Sequence, residues 1–459
     1  MSSPSGSSPD EAQAFLARHP EIEAVDVVLT DLNGVGRGKI IRRHELLPLY
    51  EIGRHFPISV LALDITGEDV HETGLTWAEG DRDLRAWPVP GTLVPIHGTR
   101  RGQVLVTLHD LDGSPIRPDP RQALKCQVEW SAAKDLHPAA AFELEFFLLD
   151  PSVSMRHAFE PAPALTDGRK SNKTEVYSVD HLHGMEPLFT DIYAASEAQG
   201  VPVETIISEF APGQFELTLH YRRDVLRAAD DLVMLKRLVR AQARRHGLVA
   251  CFMAKPTESH AGSGMHFHVS LADGEGRNVF SERDGERFSP ALLHALGGCA
   301  ASMPDSMLVF APNANSWRRF VSNAYAPTAP SWGANNRSVA LRVPAGPAAS
   351  RRIEHRPAGV DANPYLVAAA VLAGIGKGLE EKLNPGPETV GDGYAGAQPA
   401  AALPGDWREA ISQAEASSFL KEALTPELHK VLLAIKRSEH AMVSRTVTEL
   451  DYRLYLHEV

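Results

Sequence analysis

The chain has 459 residues, 43% hydrophobic, 23% charged and 7% aromatic, which leaves room for two or three folded domains and excludes wholesale disorder and a membrane-embedded body. Its 46 Lys and Arg stand against 58 Asp and Glu, and a field of net charge −12 repels phosphate backbones and anionic lipid, so neither nucleic acid nor a membrane is expected as partner. Cys126, Cys251 and Cys299 are widely spaced without a CxxC pair, and MSSPSGSSPDEAQ has neither a basic nor an apolar leader region; a cytoplasmic protein without a disulfide framework is expected.

Residues 1–10, rich in Ser, Pro and Gly, are predicted to be disordered. From 11 to 114 the short β-branched runs VDVVLT, VLALDIT and QVLVTL alternate with turn signals, which predicts a small β-rich domain. DGSPIRPDPRQALKCQVEW passes from a turn-rich linker into a helix, so a larger α+β domain is predicted over 115–459. Within it, strand period puts Glu143 and Glu145 of AAFELEFFLLD on one face and Phe142, Leu144 and Phe146 on the other. ISEFAPGQFEL supplies Glu209, a Pro-Gly turn, then Gln214 and Glu216. Residues 223–245 have Val225, Leu232, Leu235 and Val239 at helical spacing. GMHFHVSL sets His266, His268 and Ser270 together, and RRIEHRP does the same for Arg352, Glu354 and Arg356. Residues 384–405, dense in Gly, Pro and Ala, predict a long loop before a helical tail.

One such strand could simply wet one side of a sheet. Four of this composition predict a single shared site. Glutamates with an imidazole and no thiolate suit hard divalent cations, Mg²⁺ or Mn²⁺, rather than zinc hydrolysis. Arg319, Arg337, Arg342, Arg352 and Arg356 add planar guanidinium forks suited to a polyphosphate or carboxylate substrate, and the combination reads as phosphoryl transfer. No GxxxxGK[ST] loop is present, GIGKG at Gly374 has the wrong spacing, and GDGYAG at Gly391 lies in the loop rather than after a strand.

These pieces occur in one order: DLNGVGRGK, FELEFF, EFAPGQFE, AKP with GSGMHFHVS, NSWRR, NNRSVALRVP and RRIEHRPAGVDANPYL. In that order the sequence resembles the glutamine synthetase superfamily from about Val25 to the C-terminus. The resemblance implies a β-grasp-like N-terminal domain and a catalytic domain on a curved antiparallel sheet, with two or more Mg²⁺ or Mn²⁺ ions between ATP and L-glutamate. Glu145, Glu209 and Glu216 match the ligands of one ion, and Glu143, His266 and Glu354 those of another. Glu204, His268, Ser270, Arg342 and Arg352 match nucleotide-contacting positions. Gly262, Arg319, Arg337 and Arg356 match positions that hold glutamate or its transferring phosphate. Asp64 and Tyr177 match amine-side positions, with Asp64 entering from a neighbouring subunit of a dodecamer of two hexameric rings.

Departures from the family pattern bear on the nucleophile. Members that use ammonia carry an acid where this chain has Tyr325. The hydroxyl that follows the Asp64 position is replaced near Gly67, and the asparagine before GSGMH is Ala261. With DLNGVGRGK and FPISVLALDITGEDVHETGL, these departures resemble the γ-glutamyl-amine ligases, the γ-glutamylputrescine and γ-glutamylpolyamine synthetases among them, and imply an organic amine as third substrate. Glutamine synthetase using ammonia is the alternative, and a catalytically silent homologue the third reading. Tyr394 corresponds to the tyrosine adenylylated in some bacterial glutamine synthetases, but YAGAQPAAALP does not match that motif.

Overall fold

The structure is a computed structural model that describes residues 3–156, 158–282, 285–321, 324–395 and 402–459. Its strands form two sheets. The first contains β1 (Ala24–Thr30), β2 (Gly36–Arg42), β3 (Arg54–Pro57), β4 (Asp83–Pro88), β5 (Val94–Pro95) and β6 (Arg101–His109), in the order β2-β1-β6-β4-β3 with β5 added to β6. The β1–β2 turn is fixed by Asp31, which accepts from the Val35 amide and from Arg37 Nε, both at 2.8 Å. Because β1 runs parallel to β6 while the other pairs are antiparallel, the first and last strands of the unit lie side by side.

The second sheet holds β7 (His137–Leu149), β8 (Val203–Ser208), β9 (Gln214–Leu219), β10 (Val249–Cys251), β11 (Met265–Ala272), β12 (Trp332–Ala334), β13 (Leu341–Val343) and β14 (Ile353–His355). It is a curved sheet in the order β12-β13-β14-β11-β7-β9-β8, antiparallel except at β12–β13, with β10 pairing β7. This is the α+β architecture expected from the sequence. Phe142, Leu144 and Phe146 of β7 are fully buried on one face, as the strand period requires, and the helix Val225–Arg245 packs against β7. That helix starts at Val225, the first residue of its apolar pattern and two residues inside the predicted segment 223–245, because Asp224 caps it by accepting from the Arg227 amide.

GIGKG lies inside the helix Pro364–Glu381, where it meets the helix Pro290–Phe310 at close approach. A Cβ at Gly298 would lie 2.0 Å from Gly374 O, and one at Gly378 would lie 2.1 Å from His294 O. The glycines therefore serve helix packing. Asn363 caps this helix through Oδ1, which accepts from the Tyr365 amide at 3.0 Å, while its Nδ2 donates to Asp31 O at 2.8 Å and ties the two sheets' units together.

The N-terminal segment departs from the composition-based expectation of disorder. Ser8 caps the helix Pro9–Arg18, Ser5 Oγ donates to Pro88 O at 2.7 Å, and Ser7 is 3% exposed. The hydroxyls and Pro9 act as helix-start signals, which low-complexity reasoning overlooks. Residues 384–395 and 402–405 form no helix or strand, as the loop reading expects, and the GDGYAG motif runs into residues 396–401, outside the described set. Cys126, Cys251 and Cys299 are free. Among the described residues no helix is long and apolar enough to cross a membrane.

Candidate active site

Strand register decides which polar side chains meet. β7 places Glu145 opposite Glu216 of β9, and Glu143 opposite His266 of β11. β11 in turn sets His268 opposite Glu354 of β14, and Arg342 of β13 faces the same glutamate. Since residues two apart share a face, these groups line the side of the sheet away from Phe142, Leu144 and Phe146. Glu209, just beyond β8, is turned toward them by the Pro-Gly turn: its amide donates to Gln214 O, and Gly213 holds a left-handed φ of 71° where a Cβ would strike Leu148 O at 2.8 Å. Three ligand sets result, each with donor atoms within 4.8 Å of one another: Glu145, Glu209 and Glu216; Glu143, Glu216 and His266; and Glu143, His268 and Glu354.

The electrostatics divide the cluster in two. Burial pushes the Glu209 carboxyl up to about 7, with the Glu145 and Glu143 charges adding to it, and burial with Glu143, Glu145 and Glu209 pushes Glu216 well above the usual carboxylate range. At the other end burial would also raise Glu354 and Glu143, but positive partners outweigh it. His268, His266 and Arg356 hold Glu354 at about 2, while the imidazoles of His268 and His266, at 2.9 and 2.7 Å, hold Glu143 well below its ordinary value. A carboxylate cluster at odds with itself is a donor set that fits a hard dication, because an ion at its centre replaces mutual repulsion with attraction. Sequence reasoning assigned His266 alone to the ligands, yet His268 reaches the same Glu143.

The arginines occupy distinct places. Arg342 Nη1 donates to Glu354 Oε2 at 2.7 Å and Arg356 binds its other oxygen; both Nε atoms are buried without a partner. Arg319 is 5% exposed, donates to Pro357 O at 3.1 Å and runs alongside two glycines. A Cβ at Gly262 would lie 2.6 Å from Arg319 Cγ, and one at Gly264 would lie 3.0 Å from Arg319 Nη2. The Gly264 amide donates to Glu145 Oε2 at 2.6 Å, so GSG joins the arginine to the acid cluster. Arg337 is exposed, with Glu209 within reach of its charge.

A cavity of about 680 Å³ adjoins the imidazole end of the sheet and is lined by Glu143, Glu204, His268, Ser270 and Arg352. Four of the five positions matched to nucleotide contact therefore share one cavity; Arg342 is not among the lining residues and is engaged by Glu354. Arg352 Nε donates to His268 Nδ1 at 3.2 Å, and Glu204 pairs with His220 at 2.6 Å.

The amine-side positions are separated within one chain. Asp64, 7% exposed, accepts at a single oxygen from the amides of Thr66, Gly67 and Glu68 and from Thr66 Oγ1, the last at 2.6 Å. Thr66 thus places a hydroxyl beside this aspartate, one residue before the Gly67 position. Tyr177 and Tyr325 are both about three-fifths exposed and both left-handed, at φ 58° and 53°. That conformation is strained for an aromatic residue and concentrates at functional sites. Sequence reasoning missed Asp361, whose Oδ2 accepts from Asn313 at 2.8 Å and from Ser316 at 2.7 Å beside Arg319; it stands in GVDANP with no periodicity to single it out.

Residues 117–455 match the family described as glutamine synthetase, catalytic domain. The gamma-glutamylputrescine synthetase PuuA of Escherichia coli is 41% identical over 443 residues, covering 96% of this chain and 93% of that protein. The gamma-glutamylethanolamide synthetase of Streptomyces coelicolor is 31% identical over 450 residues, 97% of this chain and 94% of its own. Among solved structures, a GmaS/ADP complex superposes with a TM-score of 0.83 at 29% identity, covering 96% of this chain and 99% of that one. A match of this extent, on a sheet whose register assembles the same acids and arginines that the motifs predicted, establishes that the chain belongs to the glutamine synthetase family.

Proposed function

We propose that the protein is an ATP-dependent ligase that joins the γ-carboxylate of L-glutamate to an organic amine through γ-glutamyl phosphate. The observation that carries this is the strand register, which sets an acid cluster for divalent ions between a nucleotide-sized cavity and the buried guanidinium of Arg319. Two or more Mg²⁺ or Mn²⁺ ions, held by Glu145, Glu209 and Glu216 and by Glu143, Glu354, His266 and His268, would neutralise phosphoryl charge. Arg352, Ser270 and Glu204 orient ATP in the cavity. Arg319, Arg356 and Arg337 hold glutamate and the transferring group, matching the charge that develops on its equatorial oxygens. The γ-carboxylate oxygen takes the phosphoryl group and ADP leaves; the amine nitrogen then attacks the γ-carbon, phosphate departs, and Asp64 accepts the amine proton.

Asp64 serves a neighbouring subunit's site in a closed homo-oligomer, a dodecamer of two hexameric rings. Apolar surface left uncovered within the chain supports assembly. Trp77 is 78% exposed, and the helix Glu449–Tyr455 buries no residue, leaving Leu450, Tyr452 and Tyr455 exposed along it with Val447 and Leu456 at its ends. Light scattering showing an active monomer refutes this part.

Glutamine synthetase using ammonia is the second reading, and the Thr66 hydroxyl on Asp64 favours it; Tyr325, neutral where ammonia users carry an acid, opposes it. ADP release measured with glutamate and a panel of amines including ammonium decides. The proposal requires kcat/KM for an organic amine to exceed that for ammonium, and no amine-dependent release at all supports the silent homologue.

A further inference from the structure

Lys436, on the helix Pro426–Arg445, has no solvent exposure, and its ammonium group faces three acceptors: Glu439 Oε2 at 2.7 Å, Asn313 Oδ1 at 3.3 Å and Asn33 Oδ1. Glu439, 2% exposed, uses its other oxygen to accept from the Ile65 amide at 2.8 Å and from Asn33 Nδ2 at 3.1 Å. Ile65 follows Asp64 directly. In the opposite direction Asn313 donates to Asp361 at 2.8 Å, and both Asp361 Oδ1 and Arg319 Nη1 crowd Gly359, where a Cβ would lie 2.5 and 3.4 Å from them. A continuous polar chain, buried at Lys436 and Glu439 and half-buried at Asn33, Asn313 and Asp361, therefore runs from the Asp64 loop of the N-terminal unit to the segment bearing Arg319.

We propose that Lys436 and Glu439 are positioning residues that hold the Asp64 loop in register with the Asn313–Arg319 segment, and so set where the amine-side aspartate stands. Burying a lysine and a glutamate carries a desolvation penalty and gives a stable site only when every donor is matched, which is the situation at Lys436. Such a pair contributes little net stability compared with apolar packing, but it fixes one geometry. The Ile65 amide has the Glu439 oxygen as its acceptor, so a change at residue 439 is felt one residue from Asp64. Nothing in the chemistry of glutamate or ATP binding calls for this link. Its N-terminal end is the amine-side loop, and the inference rests on the reading of Asp64 as the amine-side group.

The test is steady-state kinetics of the full-length assembled enzyme with Glu439→Gln, Lys436→Met, the double variant and Asn33→Ala, alongside hydrogen exchange of the peptide spanning residues 61–70. Asn33→Ala leaves no buried charge unpaired and keeps the test valid should either single charge variant fail to fold. The expected result is a loss of about ten- to a hundredfold in kcat/KM for the amine, the scale for misplacing a catalytic group by about 1 Å, with KM for glutamate and ATP within about twofold of wild type. Exchange at 61–70 should quicken while exchange in β1 is unchanged. Equal changes in all three substrates' KM values, or faster unfolding-limited exchange everywhere with amine kinetics intact, overturn the inference. Should wild type prefer ammonium, the amine reading fails, and the same loss must then appear in kcat/KM for ammonium if the positioning role is correct.

Discussion

Metal binding at Glu145, Glu209 and Glu216 should release protons, and the amount follows from the structure. With a carboxyl at about 7, Glu209 is half protonated at pH 7, about nine-tenths at pH 6 and about one-tenth at pH 8. A dication binds the ionised form, so each ion entering at pH 7 displaces about half a proton from Glu209, and Glu216, also raised by burial, adds to it. Glu209 itself binds more protons in the folded, metal-free chain than in the unfolded one between 4.5 and about 7, so its contribution to stability falls as pH rises through that window, while His109 and His355, pushed down by burial to about 4 and about 3, act in the opposite sense up to 6.5. For Glu209 the movement from 4.5 to about 7 corresponds to about 3 kcal/mol at 1.36 kcal/mol per pH unit. Glu354, held at about 2, acts in the opposite sense but only below 4.5, outside this window. Calorimetric titration of chelator-stripped protein with Mg²⁺ in two buffers of different ionisation enthalpy measures the protons; denaturation at pH 5.5 and 8, with and without Mg²⁺, measures the stability. Glu209→Gln should remove most of the proton release at pH 7 and stabilise the metal-free protein at pH 8. Release absent at pH 6–7, or unchanged by Glu209→Gln, would refute the reasoning.

Removing Glu354 leaves Arg342 and Arg356 buried without their shared partner, so Glu354→Ala should lower stability by about 3–5 kcal/mol by denaturant titration as well as abolish turnover. Glu145→Ala, whose carboxylate binds the Gly264 amide, should abolish turnover with little change in the denaturation midpoint. Gly262→Ala has no room beside Ala254 O and Arg319 Cγ, both 2.6 Å from the added carbon, and should reduce kcat/KM for glutamate in the ADP-release assay. Alkylamines have a pKa near about 10, so the rate at subsaturating amine should rise from pH 7 to pH 9 as the free base becomes available; a flat profile contradicts attack by the neutral amine.

The acid cluster was legible in the sequence because strand alternation is a local rule: two residues apart means one face, and FELEFF, GQFEL and HFHVS each state it without help. Register is not local. That Glu145 opposes Glu216 and Glu143 opposes His266 depends on which strands are neighbours, and His268 joined the Glu143 set only through that pairing. The serines of the N-terminus and the glycines of GIGKG carry the same composition in several roles, and only their neighbours in space separate helix cap from tail and helix contact from loop. Lys436, Asn33 and Asp361 had no signal, since the contacts that join them span the chain: Asn33 is 403 residues from Lys436 and 406 from Glu439, and Asp361 is 48 from Asn313.

The sheet's charge is graded from one end to the other, and the gradient assigns the chemistry. At the β8–β9 end Glu145, Glu209 and Glu216 crowd together with the exposed Arg337 as a distant positive neighbour, and two of the three are pushed toward protonation. At the β13–β14 end Glu354 is neutralised by two arginines and two imidazoles and stays ionised far below neutral pH. The first end gains most from a cation; at the second, where Glu143, His268 and Glu354 can also hold one, Glu354 already has countercharges, and an arriving phosphate would draw Arg342 and Arg356 between two anionic partners. A dication at the first end and a polyphosphate from the cavity beside His268 and Arg352 complete each other, because each supplies the charge that the other end lacks. The same arrangement without nucleotide or metal leaves the acids repelling one another, so binding of one should tighten binding of the other, with the ladder of β9, β7, β11 and β14 as the rigid element that holds the two ends at fixed separation.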